Sequence, residues 1–262
     1  MTWRFIDLGV VDCYYGPAAF EAIMDARAKD LVPDTILFWR PEKPAVYVGY
    51  HQLVNVDINV EACKAAGVPI IRRILGGGTG YCDSDQIIYN VIFKEDDAGL
   101  PYGPKGVYTR VLGGVIEALK TLGIKDVLLD VERFSVLANG KKISGSGQLS
   151  SGGVVNSSGS FLVDFNCTEM SKYLKDPVKN LKRGVRRPED GLTWLRREIG
   201  KISVEEAGNG LLAGFETVLG PAKPGKMCDH EPSIVQMLLP KYRSDEWTFR
   251  ADIRKDLRKK KD

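Results

Sequence analysis

The feature that most constrains this chain is a turn, Asn139-Gly140, set between two short apolar runs. Asn-Gly is the pair best suited to a two-residue hairpin, because both central residues must take positive φ. It fixes Phe134–Ala138 and Lys142–Ser146 as neighbouring antiparallel strands, and Gly159–Asp164 reads as a third. Between them, twelve of the seventeen residues from Ser144 to Ser160 are serine or glycine. That composition suits a flexible linker or a compact site loop, and the strands on either side favour the loop.

Upstream, Thr2–Leu8, Thr35–Trp39, Ala45–Gly49, Pro69–Arg73 and Gln86–Phe93 read as strands, the last alternating apolar and polar residues. Helical spacing marks Ala18–Ala28, Val60–Ala66 (stopped at Gly67), Val107–Leu122 (stopped at Gly123), Ser203–Leu219 and Ser233–Leu239. Pro221–Lys226 reads as a loop. The expected fold is α/β (α+β): one domain with a mixed, mostly antiparallel sheet flanked by helices. A chain of 262 residues can bury such a core unaided.

Composition excludes more than it identifies. A net charge of +3 is too small to argue for nucleic acid. No apolar run reaches membrane-spanning length and no signal peptide is visible, so the expected setting is a reducing cytoplasm without membrane contact. Five scattered cysteines and two histidines give neither a zinc cluster nor a disulfide framework. Basic residues gather in Lys179–Glu189 and in a tail, 250–262, which suits either a solvated terminal helix or docking of an acidic partner.

Two segments carry chemistry. Arg72-Arg73-Ile74-Leu75-Gly76-Gly77-Gly78 leads from a strand into a triple-glycine turn and on to Thr79 and Asp83. Successive glycines expose backbone N–H groups to an anion, and guanidinium groups can reinforce the cradle. It is not a P-loop, since G-x-x-x-x-G-K-[ST] is absent, and no G-x-S-x-G elbow supports a serine hydrolase. Lys142 follows the hairpin turn and alternates with Ser144 and Ser146, while Ile143 points the other way. An ammonium there could meet charge developing on a bound acyl group. Lys141 reads as a solvated neighbour. Asp83 is a candidate Mg²⁺ ligand through phosphates, or a turn cap.

Together, Arg72-Arg73-x-x-Gly76-Gly77-Gly78-x-x-x-x-Asp83 and Gly140-Lys141-Lys142-Ile143-Ser144-Gly145 resemble the lipoate–protein ligase family. Val48-Gly49 with Gln52, Gly191-Leu192-Thr193 and Lys241-Tyr242-x-x-x-Glu246-Trp247 extend the likeness from about Trp3 to Trp247. The resemblance implies a catalytic domain over residues 1–249, similar in fold to that of biotin ligases. It implies activation of lipoate with ATP and Mg²⁺ to lipoyl-AMP, then transfer to a lysine of a lipoyl carrier (a glycine cleavage H protein or a dehydrogenase E2 domain). Arg72, Gly76, Gly77, Gly78 and Thr79 would hold the adenylate, Lys142 would bridge phosphate and carboxylate, and Ser144, Gly145 and Ser146 would border the nucleotide.

Several positions depart from the family pattern. Cys82 and Ser158 stand where histidines are usual, and Phe134-Ser135 replaces a common Asn-Asp pair. The small accessory domain is missing, which leaves room for a separate accessory subunit. A cysteine-dependent octanoyl or lipoyl transferase of the same superfamily is the nearest alternative. Its nucleophile would fall within Leu128–Phe134, where no cysteine occurs, leaving only Cys82 and Cys167. A non-catalytic lipoyl- or nucleotide-binding subunit is the other alternative.

Overall fold

A computed structural model describes residues 2–95, 103–179, 181 and 183–252. Asn139 and Gly140 take φ of 48° and 75°, closing the hairpin that the sequence demands. Among the described residues the strands are β1 (Trp3–Val11), β2 (Thr35–Pro41), β3 (Ala45–Val48), β4 (Ile70–Arg72), β5 (Gly80–Cys82), β6 (Gln86–Lys94), β7 (Val127–Asp130), β8 (Ser135–Ala138), β9 (Lys141–Ser151), β10 (Val154–Leu162) and β11 (Ala222–Pro224). Eight form one sheet in the order β11-β1-β2-β6-β10-β9-β8-β7. Only β1 with β2 and β1 with β11 run parallel there. In the small sheet β4-β3-β5, strand β3 pairs parallel to β4 and antiparallel to β5. The fold is mixed α/β with a mostly antiparallel sheet, as expected.

The helices are α1 (Tyr15–Ala28), α2 (Val54–Asp57), α3 (Val60–Ala66), α4 (Gly103–Thr121), α5 (Cys167–Tyr173), α6 (Pro188–Gly191), α7 (Leu195–Ile199), α8 (Val204–Leu219), α9 (His230–Arg243) and α10 (Asp245–Thr248). Helices α4 and α8 cross so closely that a Cβ on Gly214 would lie 2.3 Å from the Gly114 carbonyl oxygen. They cover one face of the large sheet, and α1 packed on α9 covers the other. Both faces of β6 are therefore buried: Ile87, Tyr89, Val91 and Phe93 join the first cluster, Ile88 and Ile92 the second. A one-sided alternation is not what this strand needs, and its polar exception is held by partners. Asn90 accepts from Trp39 Nε1 (3.0 Å) and donates to Asn156 (3.1 Å).

Three sequence expectations change. The serine- and glycine-rich stretch is neither linker nor loop but the β9–β10 hairpin, turned at Gly152-Gly153 with φ of 60° and 74°. Small residues serve there because other backbones lie against them. Residues 221–226 include β11, an edge strand laid parallel on β1. The helix expected at Ser233–Leu239 begins at His230 and continues past Pro240 to Arg243, and the short α10 follows it. Most of the basic tail, with Lys182 of the basic loop, lies outside the described residues. Residues 250–252 pack on the body, and the Asp252 carboxylate accepts from the backbone N–H groups of Val54 (2.9 Å) and Asn55 (3.0 Å).

Candidate functional site

A cavity of about 380 Å³ lies where the small sheet meets β6, β9 and β10. Phe20, Trp39, Tyr47, Leu75 and Ile88 line it from the α1 side, and Tyr81, Phe165, Met170 and Leu192 from the other cluster. It is mostly apolar with a few polar groups, as small-molecule sites are.

The triple glycine joins β4 to β5 and lies against β9. Gly76 N–H donates to Gln148 O (3.1 Å), and a Cβ on Gly77 (φ 93°) would come within 2.9 Å of Ser146 O. No side chain fits between these backbones. Gly77, Gly78 and Thr79 line the cavity, whereas Gly76 faces the strand.

Both arginines build the turn. Arg72 is fully buried and does not line the cavity. Its Nε donates to Thr248 O (2.8 Å), and its Nη1 to the carbonyls of Gly49 (2.9 Å), Tyr50 (3.1 Å) and Gln52 (2.8 Å). The expected role at a phosphate is corrected: the guanidinium is committed to main-chain oxygens and, at Nη2, to the Asp252 carboxylate (3.8 Å). Arg73 does line the cavity, but donates to Tyr47 O (3.1 Å), Gly76 O (3.1 Å) and Gly78 O (2.7 Å). Burial lowers its pKa to about 10.

Lys142 reaches the cavity by a route the sequence did not reveal. Val136 pairs with Ser144 but Leu137 with Lys142, so a bulge sits between them and breaks the period of two. Ser144 consequently turns away to the Tyr89 hydroxyl (3.4 Å) and is not in the cavity wall. Gly145 takes the place beside Lys142, and a Cβ there would stand 3.0 Å from its Cε and Nζ. Glycine makes room for the ammonium. Among the described residues no hydrogen bond or ion pair reaches Nζ, and burial pulls its pKa down to about 8, with Asp130 opposing and Arg133 assisting. Ser146 lines the cavity, yet its hydroxyl is spent on Phe134 O.

Asp83 is a turn residue outside the cavity wall: its carboxylate accepts from Asp85 N–H (3.0 Å), and burial raises its pKa. That position does not fit a Mg²⁺ ligand. Among the described residues no three His, Cys, Asp or Glu side chains gather as metal ligands. Thr79 donates instead to Asp57 (3.0 Å), which also accepts from Lys179 (2.6 Å). Sequence reasoning missed Asp57, since a lone aspartate in a four-residue helix carries no pattern. Ser158 and Cys82, in the two histidine places, both line the cavity. The Ser158 hydroxyl donates to Tyr89 O (2.8 Å), and burial pushes the Cys82 thiol up to about 12. Cys167 is not part of the wall.

The model of the lipoyl protein ligase A/B catalytic domain matches residues 12–216. The chain belongs to that family. Relatives within it include the octanoyltransferases LipM of Kyrpidia tusciae (27% identical, 95% of this chain and 99% of the relative) and Bacillus subtilis (25%, 95% and 98%). Among solved structures, a lipoate-protein ligase A bound with ATP superposes with a TM-score of 0.81 at 22% identity, covering 96% of this chain and all of that one. The bipartite lipoate protein ligase of Thermoplasma acidophilum gives 0.82 at 21%, covering 96% and 97%. At such identities the ligase structures share the fold alone. The family's sequence relatives correct the ATP-dependent ligase expectation, because those matched along nearly their whole length are octanoyltransferases.

Proposed function

We propose that this chain transfers an octanoyl or lipoyl group from a thioester donor to a lysine of a lipoyl-carrier protein. The observation that carries the reading is Lys142, an unpartnered ammonium at the wall of a largely apolar cavity, in a chain whose relatives are octanoyltransferases. ATP and Mg²⁺ belong to the ligase expectation, and transfer from a thioester calls for neither.

The acyl chain lies among Phe20, Trp39, Leu75 and Ile88, which excludes water from it. The thioester carbonyl points at Lys142 Nζ. The acceptor amine attacks that carbon, and the ammonium donates to the oxygen as negative charge forms on it. The C–N bond forms, the C–S bond breaks, and the leaving thiolate takes up the proton lost by the amine. Burial pushes the Cys82 thiol up to about 12 and keeps it protonated at rest, so we route the acyl group directly and not through an acyl-cysteine.

Purified protein incubated with an octanoyl-carrier thioester and an apo lipoyl domain, without ATP, should give an acceptor heavier by one octanoyl group in intact-mass spectra. Transfer that appears only with free acid and ATP refutes the proposal. An octanoyl adduct on Cys82 would replace the direct route with a covalent one.

A further inference from the structure

The large sheet ends on two edges that differ in kind. At one, β11 is three residues long and carries Lys223 and Pro224, a charge and a missing donor that discourage further pairing. At the other, β7 presents Val127-Leu128-Leu129-Asp130, and among the described residues no strand pairs on its outer side. Leu128 is 58% exposed there, and Val131, just past the strand, is 48% exposed. Asn139 N–H donates to Asp126 O (2.9 Å), so in the antiparallel register with β8 the backbones of Leu128 and Asp130 bond inward. The N–H and C=O groups of Val127 and Leu129 therefore point outward. A bare edge with apolar side chains is a liability that sheet proteins normally remove, so its retention here calls for an occupant.

The same edge leads to the reacting group. Leu128 lies opposite Leu137 on β8, and Leu137 opposite Lys142 on β9. Val127, Val136, Ala138 and Ile143 turn to the cluster beneath α4 and α8, so Leu128, Leu137 and Lys142 share the other face. They form a row from solvent to the cavity wall. Lys142 Nζ runs along β9 toward Gly145, and that direction corresponds to the Asp130 end of β7. At that end Arg133 and Phe134 line the cavity and Val131 stands exposed. A strand added outside β7 would lie three spacings from β9, roughly 14 Å. An extended lysine side chain covers about 6 Å, so a lysine within the added strand stops short of the cavity. One in the turn that ends the strand, folded over Leu128 and Val131, crosses the remainder.

We infer that the outer edge of β7 receives a β-strand of the acceptor domain as a ninth strand of the large sheet, with the acceptor lysine in the turn at the Asp130 end. This rests on the transferase reading above and adds to it the surface on which the carrier docks. A second copy of this chain is the poorer occupant. Antiparallel pairing about a two-fold axis normal to the sheet must centre on a residue, because opposed side chains share a face. Centred on Leu128, it sets Asp126 opposite Asp130 twice; centred on Leu129, it sets Asp126 opposite Glu132 and Lys125 opposite Arg133. Like charges directly opposite destabilise a pair. The edge thus resists its own copy, while Val127 and Leu129 offer their backbone groups to a strand of different charge pattern with an apolar residue against Leu128.

Amide hydrogen exchange followed by NMR, with an apo lipoyl domain and no acyl donor, tests this directly. The Val127 and Leu129 amides, which face solvent in the free protein, should exchange about 10-fold or more slowly once the domain is added. Protection confined to the basic residues 183–187 overturns the inference in favour of docking by charge. Protection of β7 that grows with protein concentration in the absence of the domain overturns it in favour of self-pairing. Leu128→Lys, an exposed change outside the cavity wall, should raise the KM for the apo lipoyl domain about 10-fold or more, the order expected from losing one buried leucine. Its affinity for the octanoyl thioester, measured by calorimetry without acceptor, should stay at the wild-type value. An unchanged KM overturns the inference as well. Docking and chemistry fail separately: protected β7 amides without ATP-free transfer remove the transferase reading and leave the docking edge, whereas transfer with unprotected β7 amides does the reverse.

Discussion

Replacing Lys142 by Met should make the protein more stable and nearly inactive at once. The lysine is half-buried at the cavity wall, and desolvation there lowers its pKa from the ordinary 10.5 to about 8. At ~1.4 kcal/mol per pKa unit the folded state carries a charge penalty of about 3 kcal/mol wherever the lysine is protonated. The sign follows from linkage. Between about pH 8 and 10.5 the unfolded chain holds a proton on this group that the folded chain has lost, so stability rises with pH across that window. Methionine keeps the length of the chain and removes the charge. Urea unfolding at pH 7 should therefore place Lys142→Met about 3 kcal/mol above wild type, before any packing difference, and the gap should close as pH approaches 10.5. Acyl transfer should drop by roughly 10²–10³, the usual loss of one donor to a developing oxyanion. A variant no more stable at pH 7, or a gap that does not change with pH, refutes the argument that this ammonium is held desolvated and unpaired.

Other expected outcomes follow from the same geometry. Wild-type transfer should decline above about pH 8 as Lys142 loses its proton, and this alkaline limb should be missing from the residual activity of Lys142→Met; initial rates over pH 6–10 check it. Gly77→Val should destabilise the fold by about 2 kcal/mol or more, since φ of 93° and a 2.9 Å approach to Ser146 O both forbid a β-branched side chain; thermal unfolding and transfer assays should fall together. Arg72→Ala should cost about 3–5 kcal/mol by orphaning buried carbonyls, without touching the cavity wall directly, so soluble yield and melting temperature should suffer before substrate affinity does. Cys82→Ser should retain acyl transfer within a few-fold, measured with the same thioester donor, because its thiol is protonated throughout the neutral range.

What the sequence disclosed was local, and what it hid was contact at a distance. Asn139-Gly140, Gly67 and Ser203 each state their turn or cap in their own neighbourhood, and the structure has them there, Ser203 within a full capping box with Glu206. The triple glycine was legible as a turn, but its purpose was not. Glycines that admit a phosphate and glycines that admit the β9 backbone look identical in one dimension. Arg72 misled for the same reason: its partners, Gly49 to Gln52 and Thr248, are brought to it only by the tertiary fold. The face of Lys142 was found although the pattern used for it was wrong, because the bulge after it exchanges Ser144 for Gly145. The choice between ligase and transferase was not readable from the shared motifs, which both activities need in order to hold an acyl group beside a lysine.

The guanidinium at the heart of the small sheet also has a consequence for biogenesis. Arg72 Nε donates to the Thr248 carbonyl, its own carbonyl accepts from Trp247 Nε1 (2.8 Å), and Asp252 closes over α2. Residues translated early are thus fastened by residues translated much later. On the ribosome the glycine turn therefore stays unlatched until residues 247–252 have emerged.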